Sequence, residues 1–268
     1  MDGSIATGAA VSVMLIRAGV SPIATLPIAF LAGALAGMVT GLLNTALGIP
    51  GILASILTQI SLYSINLNIM GKANQPVSVD NYPLVVSLRY VTDGSVSRLL
   101  FFLGMIVFLL ALIAVMYWYF GTEQGHAIRA TGCNGNMARA QGINTNFIKV
   151  LALMISNGLV GLCGALYGQF QGASDVNMGR GAIVIGLAAV IIGEVLFGKF
   201  ASKRKLAFAF TLASVILGAV IYYMVYQFVL WLKMPSEDMK LFSAIVVAIF
   251  LAIPYLKEKR TLRKGASK

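Results

Sequence analysis

Few residues of this sequence could do chemistry. They are amides, a tyrosine and scattered charges, with no nucleophile placed beside a base. Gln59, Tyr63 and Asn66 fall about one helical turn apart in an apolar stretch and so share a helix face. Such a face either lines the path of a solute or bonds to neighbouring helices. Gln169, Gln171, Asp175 and Asn177 cluster just before Arg180, where they line the mouth of a path or solvate a loop. Glu194 lies late in an apolar segment, and an ionisable residue at depth in a membrane is a mark of function. The plainer reading is that Glu194 snorkels or pairs with Lys199 or Lys203. Asn44 and Asn157 stand isolated near small residues, which suits hydrogen bonds between helices. The one histidine, His126, has no partners at metal-ligand spacing, and there is no Cys-x-x-Cys. A phosphate loop of the G-x-x-x-x-G-K-S/T kind is also missing.

The elements that must hold these residues belong in a membrane. The chain is 59% hydrophobic and 11% charged, against about 25% charged in a soluble domain. Its formal charge of +11 is spread over loops and the tail, which argues against a nucleic-acid surface. It fits Lys and Arg retained on the cytoplasmic face of a membrane. A spanning helix takes about 20 mostly apolar residues. Turn signals, Ser21-Pro22 among them, divide the chain into a segment at 5–16, a helix with Pro27 in its first turn that runs to about 45, and segments at 52–70, 99–120, 150–172, 181–197, 206–232 and 241–256. The expected fold is therefore all-α and polytopic, with about eight spanning or partly spanning helices. It is a membrane domain over residues 1–256 with a basic tail at 257–268. Gly48-Ile49-Pro50-Gly51 breaks the chain between two segments and could mark a half-spanning piece. Residues 72–98 are too polar to span and read as a loop, and residues 173–180 as a short polar turn. Gly33, Gly37 and Gly41, and again Gly164, Gly168 and Gly172, recur at every fourth position, the spacing that lets helices approach closely in lipid. The matching placement of the two rows raises an internal repeat as a further possibility.

Residues 121–149 interrupt this pattern. They carry His126, Arg129, Arg139 and Lys149 against a single acid, Glu123. Small and apolar positions at Ala127, Ile128, Ala130, Met137, Ala138 and Ile143 alternate with breaks at Gly132, Gly135 and Gly142. Short helical pieces presenting a docking face at the membrane surface are expected. With this loop in the cytoplasm, alternation brings the basic turn at 199–205 and the tail to the same side. Three basic regions then obey positive-inside sorting, and residues 72–98, 173–180 and 233–240 fall outside.

From residue 121 to 193 the sequence resembles a known family. G-x-A-I-R-A-T-G-x-N, M-A-R-A-x-G-I-N and K-V-L-A-L-x-x-S-N-G-L-V-G-L-x-G-A-L are similar to motifs of the permease subunits of bacterial ABC importers of the branched-chain amino acid and ribose type. Asp2-Gly3-Ser4, Tyr63-Ser64-Ile65-Asn66 and Gly168-Gln169-x-Gln171-Gly172 bring the resemblance closer to tryptophan/tyrosine ABC transporter permeases. It covers nearly the full length. It implies that the central loop is a coupling helix docking on an ABC ATP-binding subunit, through Ala127, Arg129, Ala130, Gly132, Asn134, Ala138, Arg139 and Gly142. It further implies a second permease subunit, expected as a homodimer, and an extracellular substrate-binding lipoprotein. The setting is the bacterial inner membrane, with the C-terminus cytoplasmic. No cofactor is expected in this chain; ATP and magnesium would sit on the partner ATPase. The transported solute is expected to be an amino acid, of aromatic or related kind, with Gln59, Tyr63, Asn66, Gln169, Gln171, Asp175, Asn177 and Glu194 as candidates along its path. Two features depart from the pattern. Family members usually carry one more helix before the Asp-Gly-Ser segment, and Cys133 stands where a polar or acidic residue is common. The rival class is an ion-coupled secondary transporter or channel, for which broken helices would be apt.

Overall fold

In hydrocarbon every backbone N–H and C=O must be satisfied within the protein, so uninterrupted apolar runs become helices. The computed structural model, which describes residues 1–77, 84–86, 95–201, 207–231 and 248, follows that rule. Its helices are α1 (Asp2–Arg17), α2 (Pro22–Thr45), α3 (Gly51–Met70), α4 (Ser95–Phe120), α5 (Glu123–Cys133), α6 (Gly135–Ala140), α7 (Thr145–Gln171), α8 (Ala182–Ala201) and α9 (Ala207–Trp231). Among the described residues five stretches are long and apolar enough to cross a membrane: Pro22–Thr45, Gly51–Met70, Leu99–Phe120, Thr145–Gln171 and Phe208–Phe228. The fold is an all-α polytopic membrane protein. Ala182–Leu196 is a shorter apolar helix. α1, at 16 residues, is about 24 Å long and falls short of a hydrocarbon core of about 30 Å. The expected segment at 241–256 (residue 248 aside) and the tail at 257–268 lie outside the described residues.

The break at Gly48–Gly51 separates two full-length helices and makes no half-span. Pro50 occupies the N-cap position of α3, where its missing N–H costs nothing. The Asn44 side chain donates to the Ile49 carbonyl at 2.8 Å. It fastens the turn after its own helix and is not the bond between helices that its isolation suggested.

The chain forms two units, Met1–Arg180 and Gly181–Lys268. In the first, α7 packs against both α1 and α2, and glycine makes this possible. A Cβ on Gly33 would lie 2.3 Å from the Asn157 carbonyl oxygen, and one on Gly37 2.2 Å from that of Leu153. A Cβ on Gly8 would meet the Gly161 carbonyl at 1.9 Å, and one on Gly164 that of Ile5 at 2.1 Å. The two glycine rows therefore face different helices. The row in α2 packs on α7, and Gly164 and Gly168 in α7 pack on α1. Gly172 does not continue that stripe. It caps α7 at φ +67°, a left-handed geometry that suits glycine. Asn157 lies at the centre of the bundle, accepting from Ser4 Oγ at 2.8 Å and donating to the Leu153 carbonyl at 2.9 Å. It is the bond between helices that the sequence predicts there.

Two three-residue strands were not expected. β1 (Asn74–Pro76) pairs antiparallel with β2 (Ala173–Asp175), Gln75 opposite Ser174. This ribbon ties the end of α3 to the end of α7, and Arg17 at the end of α1 donates to the Gln75 side chain. Leu84 packs with Val13, Ile16 and Val77. Thus the segments read as a loop at 72–98 and a turn at 173–180 hold built structure. In the second unit α8 packs on α9 by the same device. A Cβ on Gly193 would meet the Ser214 carbonyl oxygen at 2.3 Å, and one on Gly218 that of Ala189 at 2.1 Å.

Candidate functional site

Two places in the first unit gather the residues that stood out in the sequence. The first is a cavity of about 370 Å³ between α1, α3 and the segment after β2. Gln59, Tyr63 and Asn66 line it from α3, Asn177 and Arg180 from the segment after β2, and Asp2 from the start of α1. Its depth follows from helix geometry. At 1.5 Å per residue, Asn66, Tyr63 and Gln59 lie about 6, 10 and 16 Å below Met70 at the end of α3. Residues 176–180 run back along α1 to reach the cavity. Val176 packs on Ala10 and Met70. A Cβ on Gly179 would stand 2.0 Å from the Asp2 carbonyl oxygen. The expected surface turn is therefore a re-entrant segment. Irregular backbone at such depth occurs where protein or a water-filled cavity covers it.

Hydrogen bonding around the cavity is incomplete. Asn66 is 0% exposed, and neither of its amide atoms has a partner among the described residues. Leaving such a buried group unpaired costs about 1–3 kcal/mol. Asn177 is held by an Asx turn, its N–H donating to Asp175 Oδ1 at 2.6 Å. Asp175 is thereby engaged in shaping the turn. The Gln171 amide donates to the Tyr167 hydroxyl at 2.7 Å.

Gln169 differs from the other candidates. It is 1% exposed. Its Nε2 donates to Ser12 Oγ, to the Pro22 carbonyl and to Thr25 Oγ1 at 3.1–3.2 Å. Its Oε1 accepts from the Val85 N–H at 3.2 Å. Ser12 and Thr25 are themselves bonded at 2.8 Å. Gln169 therefore closes a polar network joining α1, α2, α7 and the segment at 84–86. It is absent from the cavity wall for that reason. Glu194 belongs to the second unit and is exposed. Its expected partners' side chains, at Lys199 and Lys203, lie outside the described residues.

The second place is the loop between α4 and α7. It folds into α5 and α6, as the alternation of small residues and breaks predicts. Thr122 caps α5, accepting from the Gly125 N–H, and Asn134 caps α6, accepting from the N–H groups of Asn136 and Met137 at 3.1 Å. Such caps satisfy the free donors of a helix start. Asn144 caps α7 through the Phe147 N–H. This cap is why α7 begins at Thr145, ahead of the apolar run. Arg139 reaches Thr145 Oγ1 through Nη2 at 3.0 Å, pinning α6 to the first turn of α7. At the other end Gly125 presses on α4. A Cβ there would lie 2.4 Å from Phe120 Cα. The loop is thus fixed at both ends to long helices.

Arg129, Ala130, Gly132, Asn134, Arg139 and Gly142 are exposed on this platform, and Ala127 is half-buried. Ala138 is only 4% exposed, so it packs inward, contrary to its expected place on a docking face. Met137, by contrast, is 63% exposed. It is one of the apolar positions expected on the docking face, and a large apolar side chain at the surface of a six-residue helix suits a contact. Among the described residues no group of His, Cys, Asp and Glu could hold a metal ion. Cys133 and Cys163 are free thiols.

Residues 1–254 match the family model described as branched-chain amino acid transport system / permease component. The tyrosine transport system permease protein of Clostridioides difficile is 39% identical over 251 residues, covering 94% of this chain and 79% of that protein. An uncharacterized protein of Rickettsia prowazekii, RP368, is 30% identical over 256 residues, or 94% of this chain and 85% of its own length. The autoinducer 2 import system permease protein LsrC of Yersinia pseudotuberculosis is 28% identical over 238 residues, 87% of this chain and 62% of that protein. No solved structure matches.

Proposed function

This chain belongs to the branched-chain amino acid transport system / permease component family, and from that premise we propose that it is the membrane-spanning subunit of an ATP-binding cassette importer. Its solute is an amino acid, aromatic in kind, and its driving force comes from a separate ATP-binding subunit. The observation that carries the reading is the α5–α6 platform. It is exposed, lined by small residues, and fastened at Gly125 to α4 and at Arg139 to α7. A partner pressing on it moves two long helices together. The platform and the C-terminus lie in the cytoplasm, where positive-inside sorting puts them. Arg129, Ala130, Gly132, Asn134, Arg139 and Gly142 meet the ATP-binding subunit, with Ala127 at the edge. ATP and magnesium bind to that partner. Two copies of this chain enclose the pathway, and a lipoprotein outside the cell hands over the solute.

Along the path we place Gln59, Tyr63, Asn66 and Asn177, with Gln171 and Asp175 nearer its outer mouth. A solute and a nucleotide each shift the permease only by binding one of its two states better than the other. The aromatic choice of solute rests on the C. difficile relative, whose name assigns it to tyrosine transport. Proteoliposomes holding the permease and its ATP-binding subunit test the proposal. Uptake of L-tyrosine delivered by the binding protein is expected to require ATP hydrolysis. Uptake that follows a sodium or proton gradient with no ATP-binding subunit present would overturn it.

A further inference from the structure

The re-entrant segment brings an arginine to the level of the α3 amides, where Asp2 also lies. Charged side chains at membrane depth are costly and are kept where they do work. The Arg180 side chain has no hydrogen bond or ion pair with a described residue, nor have the Gln59 amide and the Tyr63 hydroxyl. Asn66 adds a fully buried amide with both atoms unpartnered among the described residues. The unspent groups of Arg180, Gln59, Tyr63 and Asn66 thus converge on one cavity, while the neighbouring Gln169 network is fully bonded. Its volume of about 370 Å³ suits a small molecule. Ile56 and Ile60 give one wall an apolar surface beside the Tyr63 ring.

We propose that this cavity is a binding site for the zwitterion of an aromatic α-amino acid, inside the permease itself. The assignment rests on the transport reading given above. Arg180 takes the carboxylate, since its planar fork matches the two oxygens. Asp2 takes the ammonium group. The Asn66 amide completes the hydrogen bonds at the polar end, which relieves its own unpaired burial. The side chain of the solute lies along Tyr63 and the two isoleucines, in the offset or edge contact that aromatic rings favour. The site therefore rejects a sugar, which has no charge for Arg180 or Asp2. Such a binding step lets the permease itself check the solute after a binding protein has released it.

The test uses purified permease in lipid nanodiscs with radiolabelled L-tyrosine as the probe. Tyramine lacks the carboxylate, 3-(4-hydroxyphenyl)propionate lacks the ammonium group, and D-ribose lacks both. Each is expected to compete at least about tenfold more weakly than unlabelled L-tyrosine, the loss typical for a hydrogen bond to a charged group. Arg180→Gln is expected to remove the preference for tyrosine over tyramine, and Arg180→Lys to restore part of it. Asn66→Ala is expected to weaken tyrosine about tenfold. Because Arg180 is exposed, its variants keep the fold, and elution as a single size-exclusion peak checks this. No binding of L-tyrosine at millimolar concentration would overturn the proposal. So would equal competition by tyramine, or an Arg180→Gln variant with unchanged selectivity. A disulfide between two copies carrying Tyr63→Cys in a Cys133→Ser, Cys163→Ser background would also overturn it, by making the cavity a contact between subunits. ATP-driven uptake separates the two levels of failure. Uptake of L-tyrosine indifferent to Arg180 sinks the site and leaves the transport reading standing; absence of uptake with the ATP-binding subunit and binding protein present sinks both.

Discussion

Gln169 and Asn66 are both amides, both inside helices, and both buried to 1% exposure or less. Their surroundings separate them. Gln169 has its donors and acceptor matched by Ser12, Pro22, Thr25 and Val85, whereas Asn66 has no partner among the described residues. A matched network stabilises, and an unmatched amide stores a cost of about 1–3 kcal/mol until something bonds to it. Gln169→Leu is therefore expected to lower stability by about 1–3 kcal/mol, read as a fall in the melting temperature of the purified permease. The ratio of tyrosine to tyramine affinity should stay that of the parent protein. Sequence spacing could not divide these two residues. Helical periodicity tells which residues share a face, but not what stands across from it. The partners of Gln169 are more than 140 positions away in α1 and α2, or 84 away at Val85. The shared face of Gln59, Tyr63 and Asn66 was legible, because it depends only on one turn of one helix.

Among the elements, α1, α2 and α7 form the bundle on which the cavity and the platform both depend. Gly161 is a tight point within it. A Cβ there would meet the Ala29 carbonyl at 2.6 Å, and its own carbonyl blocks any side chain at Gly8. Gly161→Leu is expected to cost at least the 1–3 kcal/mol of an overpacked core and to reduce the yield of monodisperse protein. At Gly104 in α4, by contrast, an added Cβ would have no described atom within 4 Å. Gly104→Ala should leave yield unchanged and raise stability by about 0.5–1 kcal/mol. Thermal unfolding of both variants in one detergent checks the pair. In the platform, Ala138→Glu forces a charge into a buried site, so loss of folded protein is expected ahead of any effect on partner binding. The helices, and the glycine contact rows, could be read from apolar length and four-residue spacing. The ribbon of β1 and β2 could not. Each strand has three residues, and pairing across about 100 positions leaves no local pattern. The return of residues 176–180 along α1 was hidden for the same reason, since it follows from that ribbon and from Gly179.

At the scale of the whole molecule, the family match and the arrangement of spans support a solute path moved by another protein's work. No element of the chain offers the phosphate loop that would let it use ATP by the common route. What it offers is a platform, α5 and α6, wedged between the ends of α4 and α7. The expectation that this platform faces the cytoplasm rests on Lys and Arg counts in loops, on which positive-inside sorting depends. Which of its residues face outward could not be read from the sequence: Ala138, expected on the docking face, is buried. The most direct test of the central claim compares Ala130→Glu with the parent protein at matched amounts in the membrane. Ala130 is exposed, so the variant should fold and insert normally. The account predicts that the ATP-binding subunit no longer co-purifies with it and that ATP-driven uptake of L-tyrosine is lost. Full co-purification together with normal uptake would contradict the account.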